Sequence, residues 1–195
     1  MYKKALEHFK TVDPILYKVA LTVEKLTLRK SNDYFASLVS QIINQQLSEK
    51  AGDTIYGKFI ALFPDKKLTA ENVHKTPHEK LRSAGPSNGK ITFIKELAAK
   101  IVLGELLLDK LLTLPDEEVI TELTKLKGVG RWTAEMYLMF TLGRPDVFSY
   151  GDLGLRRGLM KLYKLRKEPS EKKTIHLTKK WSPYRTFASM ILWRI

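Results

Sequence analysis

Cysteine is absent from the 195-residue chain. That excludes disulfide scaffolds, thiolate zinc sites, cysteine nucleophiles and iron–sulfur clusters. Negative charge is scarce as well: 21 Asp and Glu face 34 Lys and Arg, a formal net charge of +13 at pH 7. Such an excess excludes the acidic disordered class and points to a polyanionic partner. Of the four histidines, only His74 and His78 approach metal-ligand spacing, and they straddle an expected helix start at Thr76-Pro77, which argues against zinc. Long apolar runs are missing too. Stretches such as Ile101 to Leu108 fall far short of the ~20 residues of a membrane span, and Met1 to Lys10 carries charges throughout rather than a signal-peptide core. The expectation is a soluble chain without membrane association, cytoplasmic and nucleoid-associated or nuclear.

What the chain does have is helical periodicity nearly everywhere. Asp13-Pro14 reads as N-cap and first helical residue, followed by Ile15, Leu16, Val19, Val23 and Leu26 at three-to-four spacing. Thr76-Pro77 and Ser182-Pro183 repeat that start signal. Further helical stretches run from Asp33 to Leu47, Glu49 to Phe63, Lys90 to Leu103, Asp116 to Leu126, Arg131 to Leu142 and Leu153 to Leu165. The pattern predicts an all-α chain of about nine or ten helices. Its length suits a single unit or two small lobes sharing a core. Between Arg156 and Lys180, ten basic residues face only Glu168 and Glu171. Such a run is either a solvated face or a patch tracking a nucleic-acid backbone.

The most informative stretch is Leu126-Lys127-Gly128-Val129-Gly130-Arg131-Trp132-Thr133-Ala134, between two amphipathic helical patterns. Gly128 and Gly130 permit a tight turn and close approach of a partner. Their amides, with that of Thr133, fall at the start of the second helix, where unpaired N–H groups and the positive end of the macrodipole attract anions. An ordinary αα-corner also uses glycine to turn. The positive charge of the chain, and Lys127 and Arg131 beside the glycines, favour a phosphate clamp. Downstream, Gly143-Arg144-Pro145-Asp146 forms a tight loop, and Asp152 stands just before a helical run. Asp152 is either a plain N-cap or a carboxylate held at a helix mouth to stabilise positive charge on a sugar. Asp146, next to Pro145, reads as a turn residue.

Leu126 to Gly158 resembles the helix-hairpin-helix, Gly/Pro-rich loop and catalytic aspartate of the base-excision DNA glycosylase superfamily. Ser40-Gln41-Ile42-Ile43-Asn44-Gln45-Gln46-Leu47-Ser48 and Trp181-Ser182-Pro183-Tyr184-Arg185-Thr186-Phe187-Ala188 through Trp193 are similar to its 3-methyladenine DNA glycosylase II branch. The likeness spans residues 33 to 195. It implies a two-lobed helical bundle with a cleft between lobes. One lobe would run from 33 to 110 and the hairpin and catalytic loop from 111 to 165, with 1–32 and 166–195 completing the other lobe.

The same resemblance implies roles. Asp152 would be the catalytic carboxylate. Gly128, Gly130, Arg131 and Thr133 would bind DNA, and Asn88 would plug the gap left by a flipped base where a leucine wedge often sits; Lys90, like Arg185, is either a phosphate contact or a plain surface residue. Carbonyls of Leu126 and Val129 would hold a monovalent Na+ or K+; no cofactor is implied for catalysis. Trp132, Met136 and Trp193 would line the lesion pocket, while Gln45, like Gln46, either lines the cleft or caps a helix. Met136 replaces a tyrosine of longer relatives, with Tyr137 as a neighbour able to compensate. Trp132 stands where lyase members carry a Schiff-base lysine, implying a monofunctional hydrolase. The implied partner is damaged double-stranded DNA, acted on by a monomer. Two alternatives stay open: a non-catalytic hairpin module that binds DNA structure, and a glycosylase for uracil, hypoxanthine or ethenoadenine.

Overall fold

The computed structural model describes residues 1–195, apart from the side chain of residue 49. Among the described residues there are twelve α-helices, two short 3-10 turns and no strand. The helices are α1 (Tyr2–Val12), α2 (Pro14–Ala20), α3 (Tyr34–Asn44), α4 (Glu49–Ile60), α5 (Ala70–Lys75), α6 (His78–Arg82), α7 (Asn88–Val102), α8 (Asp116–Thr124), α9 (Arg131–Phe140), α10 (Leu153–Tyr163), α11 (Glu171–Lys179) and α12 (Arg185–Leu192). The all-α expectation holds. Short polar side chains set many of the starts. Asp13, Asp33, Ser48, Thr69, Ser87, Asp152 and Ser170 each accept from the amide three residues on, satisfying a donor that the helix cannot.

Three proline signals are only partly obeyed. The Asp13-Pro14 start is as expected, but α2 ends at Ala20 rather than continuing to Leu26. The Tyr2 hydroxyl donates to the Ala20 carbonyl at 3.2 Å and that of Thr22 to Val19 at 2.8 Å, diverting acceptors that a longer helix would use. At Thr76-Pro77 the start shifts by one: Thr76 closes α5 and Pro77 is the N-cap of α6. Ser182-Pro183 does not open a helix at all. That peptide bond is cis, α12 begins at Arg185, and the Ser182 hydroxyl donates to Asp146 Oδ2 at 2.7 Å instead of capping.

The chain divides into two compact units, residues 31–137 and residues 1–30 with 138–195. The division falls inside α9, so the expected 111–165 segment contributes to both. Unit 31–137 is built on Leu38, Ile42, Phe59, Val73, Ile91 and Ile94, all inaccessible to solvent. The other unit packs Phe9, Leu16, Leu155, Leu159, Trp181 and Ile191. There Gly158 lets α10 meet α12 closely: a Cβ would sit 2.7 Å from the Leu192 carbonyl oxygen. Asp13 is buried in the same core and accepts from the Tyr163 hydroxyl, from Trp181 Nε1 at 2.8 Å and from the Lys180 ammonium at 3.0 Å. Burial pushes its carboxyl up, but these hydrogen bonds outweigh it and hold the group below its usual range.

Candidate functional site

In the unit of residues 31–137, α8 and α9 are joined by a six-residue turn. Val129 N–H closes it onto the Leu126 carbonyl at 3.1 Å. Gly128 has φ +82°, and a Cβ there would lie 2.0 Å from the Phe93 ring, so both backbone and space demand glycine. Gly130 differs. Nothing lies within 4 Å of where its Cβ would be, so internal packing does not require its bareness, and the surface beside it is open to a partner. The first ladder bond of α9 runs from Ala134 N–H to the Gly130 carbonyl at 3.1 Å, so the amides of Gly130 and Thr133 precede it at the positive end of the helix.

The neighbouring side chains divide sharply. Gln45 uses both amide hydrogens on the hairpin, donating from Nε2 to the Gly128 carbonyl at 2.9 Å and to Thr133 Oγ1 at 3.1 Å. Lys90 donates to the carbonyls of Ile43 at 2.9 Å and Gln45 at 2.7 Å, and burial pulls its pKa down. Arg131 is gripped by two carboxylates: Glu117 accepts at 2.6 and 3.0 Å and Glu135 at 3.0 Å. The hydrogen bonds that Arg131 donates to Glu117 raise the guanidinium pKa and, reciprocally, lower that of Glu117. Lys127, by contrast, is largely exposed, with its ammonium 3.9 Å from Glu96. It is the more available cation beside the glycines. Asn88 is exposed in the first turn of α7, its Oδ1 accepting from Arg82 Nε at 3.0 Å.

Trp132 is 45% exposed and Met136 only 7%. Tyr137 is fully buried, and burial raises its phenol pKa, so its ring offers no face to solvent and cannot replace the tyrosine absent at 136. The expected cation site consists of backbone carbonyls, which suit a hard monovalent ion. Leu126 O already accepts one amide hydrogen and keeps a second lone pair, while Gly128 O is occupied by Gln45. Among the described residues there is no cluster of three His, Asp or Glu that could hold another kind of metal.

In the unit of residues 1–30 and 138–195, Asp152 is the N-cap of α10. Its Oδ1 accepts from Leu155 N–H at 2.7 Å and from Trp193 Nε1 at 3.0 Å. The carboxylate is thus an N-cap and also the partner of an indole N–H from α12's end. Phe140, 43% exposed, lies 6.0 Å from the Trp193 ring centroid. A Cβ on Gly154 would come within 3.0 Å of both Asp152 Oδ1 and Trp193 Cδ1, so glycine keeps this bond clear. Core tryptophan is Trp181, whose side chain is inaccessible.

The loop leading to Asp152 is fastened to the first turn of α12. Asp146 accepts from Arg185 Nε at 2.7 Å, Nη2 at 3.0 Å and N–H at 3.2 Å, and from the Ser182 hydroxyl. Arg185 Nη1 also donates to the Tyr150 hydroxyl at 3.2 Å. Thr186 ties Arg144 and Val147 through its hydroxyl, at 2.6 and 3.0 Å, and Pro145 through its amide. Asp146 is therefore more than a turn residue. Burial raises its carboxyl pKa, but the Arg185 and Ser182 hydrogen bonds prevail and lower it. Sequence reading missed this clasp, whose partners lie 39 residues apart; the only signal was the Ser-Pro-Tyr-Arg-Thr stretch itself.

A family model described as the HhH-GPD superfamily of base excision DNA repair proteins matches residues 39–183. DNA-3-methyladenine glycosylase 1 of Schizosaccharomyces pombe is 33% identical over 162 residues, covering 82% of this chain and 71% of that protein. YfjP of Bacillus subtilis is 31% identical over 159 residues, and there the chain spans only 55% of the relative's length. Two solved structures are similar throughout. S. pombe Mag1, a 3-methyladenine DNA glycosylase in complex with abasic DNA, superposes with TM-score 0.86 at 30% identity, covering 98% of this chain and 95% of the other. A DNA-3-methyladenine glycosidase from Bacillus halodurans gives 0.83 at 38% identity, covering 96% and 88%.

Proposed function

Since the chain belongs to the HhH-GPD superfamily of base excision DNA repair proteins, we propose that it is a DNA glycosylase hydrolysing the N-glycosidic bond of alkylated purines, of the 3-methyladenine and 7-methylguanine type, in duplex DNA. The observation that carries this reading is the Asp152 carboxylate, held at the mouth of α10 through Oδ1 by an amide and an indole N–H. A carboxylate locked in one geometry can stabilise charge developing nearby without reorganising at the moment of reaction.

A base inside the stack cannot be attacked, so the lesion nucleotide is rotated outward first, which costs least where pairing is already weak. The hairpin amides of Gly128, Gly130 and Thr133 hold backbone phosphate while this happens. A monovalent cation, when bound, adds positive charge for the same phosphate, and the carbonyls of Leu126 and Val129 would hold it. Asn88, exposed at the start of α7, is assigned to the gap in the stack.

Alkylation at N3 or N7 makes the purine cationic and a good leaving group. As the C1′–N bond breaks, its electron pair neutralises the departing purine. Positive charge moves to the sugar, where Asp152 stabilises it as carboxylates do in glycoside cleavage. Water adds to C1′ and loses its proton towards Asp152, leaving an abasic site and a free base. Trp132, Met136 and Trp193 are assigned to lesion contacts; an indole face attracts a cationic base more than a neutral one. Tryptophan at 132 cannot form an imine, so the product strand is left uncleaved by this protein.

The test uses methylated duplex DNA. Asp152→Asn should reduce release of 3-methyladenine and 7-methylguanine by roughly 10²–10³-fold, the size of losing one charge-stabilising group, with duplex affinity nearly unchanged. Undiminished release by that variant overturns the mechanism. A wild-type protein that binds the duplex but generates no alkali-labile sites is a binding module, not an enzyme.

A further inference from the structure

Lys90 sits where a lysine is unwelcome. It lies in the first turn of α7, at the positive end of the helix dipole, and burial disfavours its charged form. Both costs are offset by its two acceptors, the carbonyls of Ile43 and Gln45 at 2.9 and 2.7 Å. These belong to the last turn and C-cap of α3, where carbonyls have no helical partner. Lys90 therefore caps a different helix from its own and fixes the backbone of Gln45. The Gln45 side chain in turn spends both of its amide hydrogens on the hairpin, on Gly128 O and Thr133 Oγ1. One turn further along α7, Phe93 fills the space under Gly128. The hairpin thus rests on α7 twice, directly through Phe93 and indirectly through Lys90 and Gln45.

We infer that Lys90 and Gln45 are positioning residues of the phosphate-binding hairpin, acting through the chain Lys90–Gln45–Gly128/Thr133, and touch neither phosphate nor lesion. The inference rests on the reading of the hairpin as a DNA-phosphate site. An internal comparison exists on the same helix. Lys95 donates to the carbonyls of His74 and Thr76 at 3.0 and 2.6 Å, capping α5 in the same manner but with no link to the hairpin. It separates loss of a helix cap from loss of hairpin geometry.

The experiment measures binding of the full chain to a fluorescent duplex bearing a tetrahydrofuran abasic site, over a series of salt concentrations. Each phosphate contact contributes about 0.9 to the slope of log affinity against log salt. Lys90→Met and Gln45→Met should each lower affinity roughly tenfold, the size of one charge-assisted hydrogen bond at Lys90 and of two neutral ones at Gln45, with the slope unchanged. Their double variant should fall well short of the summed losses, because both break one chain. Lys95→Met should leave affinity as it is, even if its melting temperature drops equally. Single-turnover base release at saturating enzyme should stay close to wild type for all three.

A slope reduced by about one in Lys90→Met makes it a phosphate contact and overturns the inference. So does Gln45→Met that binds normally but releases base slowly at saturation, which places Gln45 at the lesion. Equal losses from Lys95→Met and Lys90→Met overturn it as well, as a general stability effect. Gly130→Asp tests the underlying reading separately, since that position has room for a side chain. Unchanged affinity there discards the hairpin as a phosphate site. Lost affinity there, with Lys90→Met and Gln45→Met unaffected, discards only the positioning chain.

Discussion

The hairpin of residues 125–133 and the loop of residues 143–152 both connect helices by way of glycine, yet they are held in opposite ways. In the hairpin, side chains from elsewhere reach in to fix the backbone: Gln45 grips a carbonyl and a hydroxyl, and Phe93 occupies the space a Cβ would take. At Gly130 the hairpin presents main chain outward, beside the exposed Lys127 and Trp132. In the loop, an ion pair and a threonine from α12 clamp the approach, which leads to a half-buried side chain, the Asp152 carboxylate. A surface that must accept any phosphate along a duplex is served by amides, which carry no sequence information. Attack on one bond requires a single charge at a defined place. Under the proposed function, binding and chemistry thus have separate supports, which can be broken one at a time.

The largest effect on the hairpin side is expected from Gly128→Ala. Positive φ costs a residue with Cβ about 1–2 kcal/mol, and displacing the Phe93 ring costs roughly 1–3 more. Duplex affinity measured by anisotropy should fall by at least about tenfold, whereas base release at saturating enzyme should change little. Equal loss of both quantities would erase the distinction between the two regions.

The clasp side is probed by Asp146→Asn. With one charge gone, Arg185 is left without its counter-ion, at a cost of roughly 1–3 kcal/mol in thermal unfolding. Release should slow while affinity holds. The pH dependence has a definite sign. The Asp146 carboxyl is lowered in the folded protein, so its contribution is present above the unfolded value near 4 and is lost as pH falls through the lowered native value. Melting temperature followed downward from neutral pH should therefore drop less steeply in Asp146→Asn than in the wild type. An identical acid slope would show that the clasp contributes nothing through its charge.

The smallest effect is expected from Gly154→Ala. An added methyl sits 3.0 Å from Asp152 Oδ1 and from the Trp193 ring, so the pair must give by a few tenths of an ångström. Such a shift should lower base release several-fold and leave both duplex affinity and melting temperature near wild type. Normal release would mean that the Asp152–Trp193 hydrogen bond tolerates displacement and does not orient the carboxylate.

Much of this was legible before any coordinates. The helices around the hairpin, the N-cap position of Asp152 and the start of α2 at Pro14 follow from local rules: periodicity, capping and the missing proline donor act within a few residues. Pairings between distant segments were not legible. Arg131, expected at phosphate, is engaged by Glu117 fourteen residues upstream and by Glu135. Ser182-Pro183 carries a helix-start signal, yet Ser182 is drawn to Asp146 instead, 36 residues away. Gln45, expected to line the cleft or cap a helix, reaches 83 residues to Gly128.

By itself the sequence determined a basic, cysteine-free, all-helical chain, the glycines of its hairpin and the carboxylate ahead of α10. Those follow from composition and from interactions between near neighbours along the chain. Only the tertiary structure decided which polar side chains are spent internally and which remain for a partner. A hydrogen-bonding group has few valences, and whether a carbonyl or carboxylate from a distant segment fills them depends on where packing of the apolar faces brings that segment.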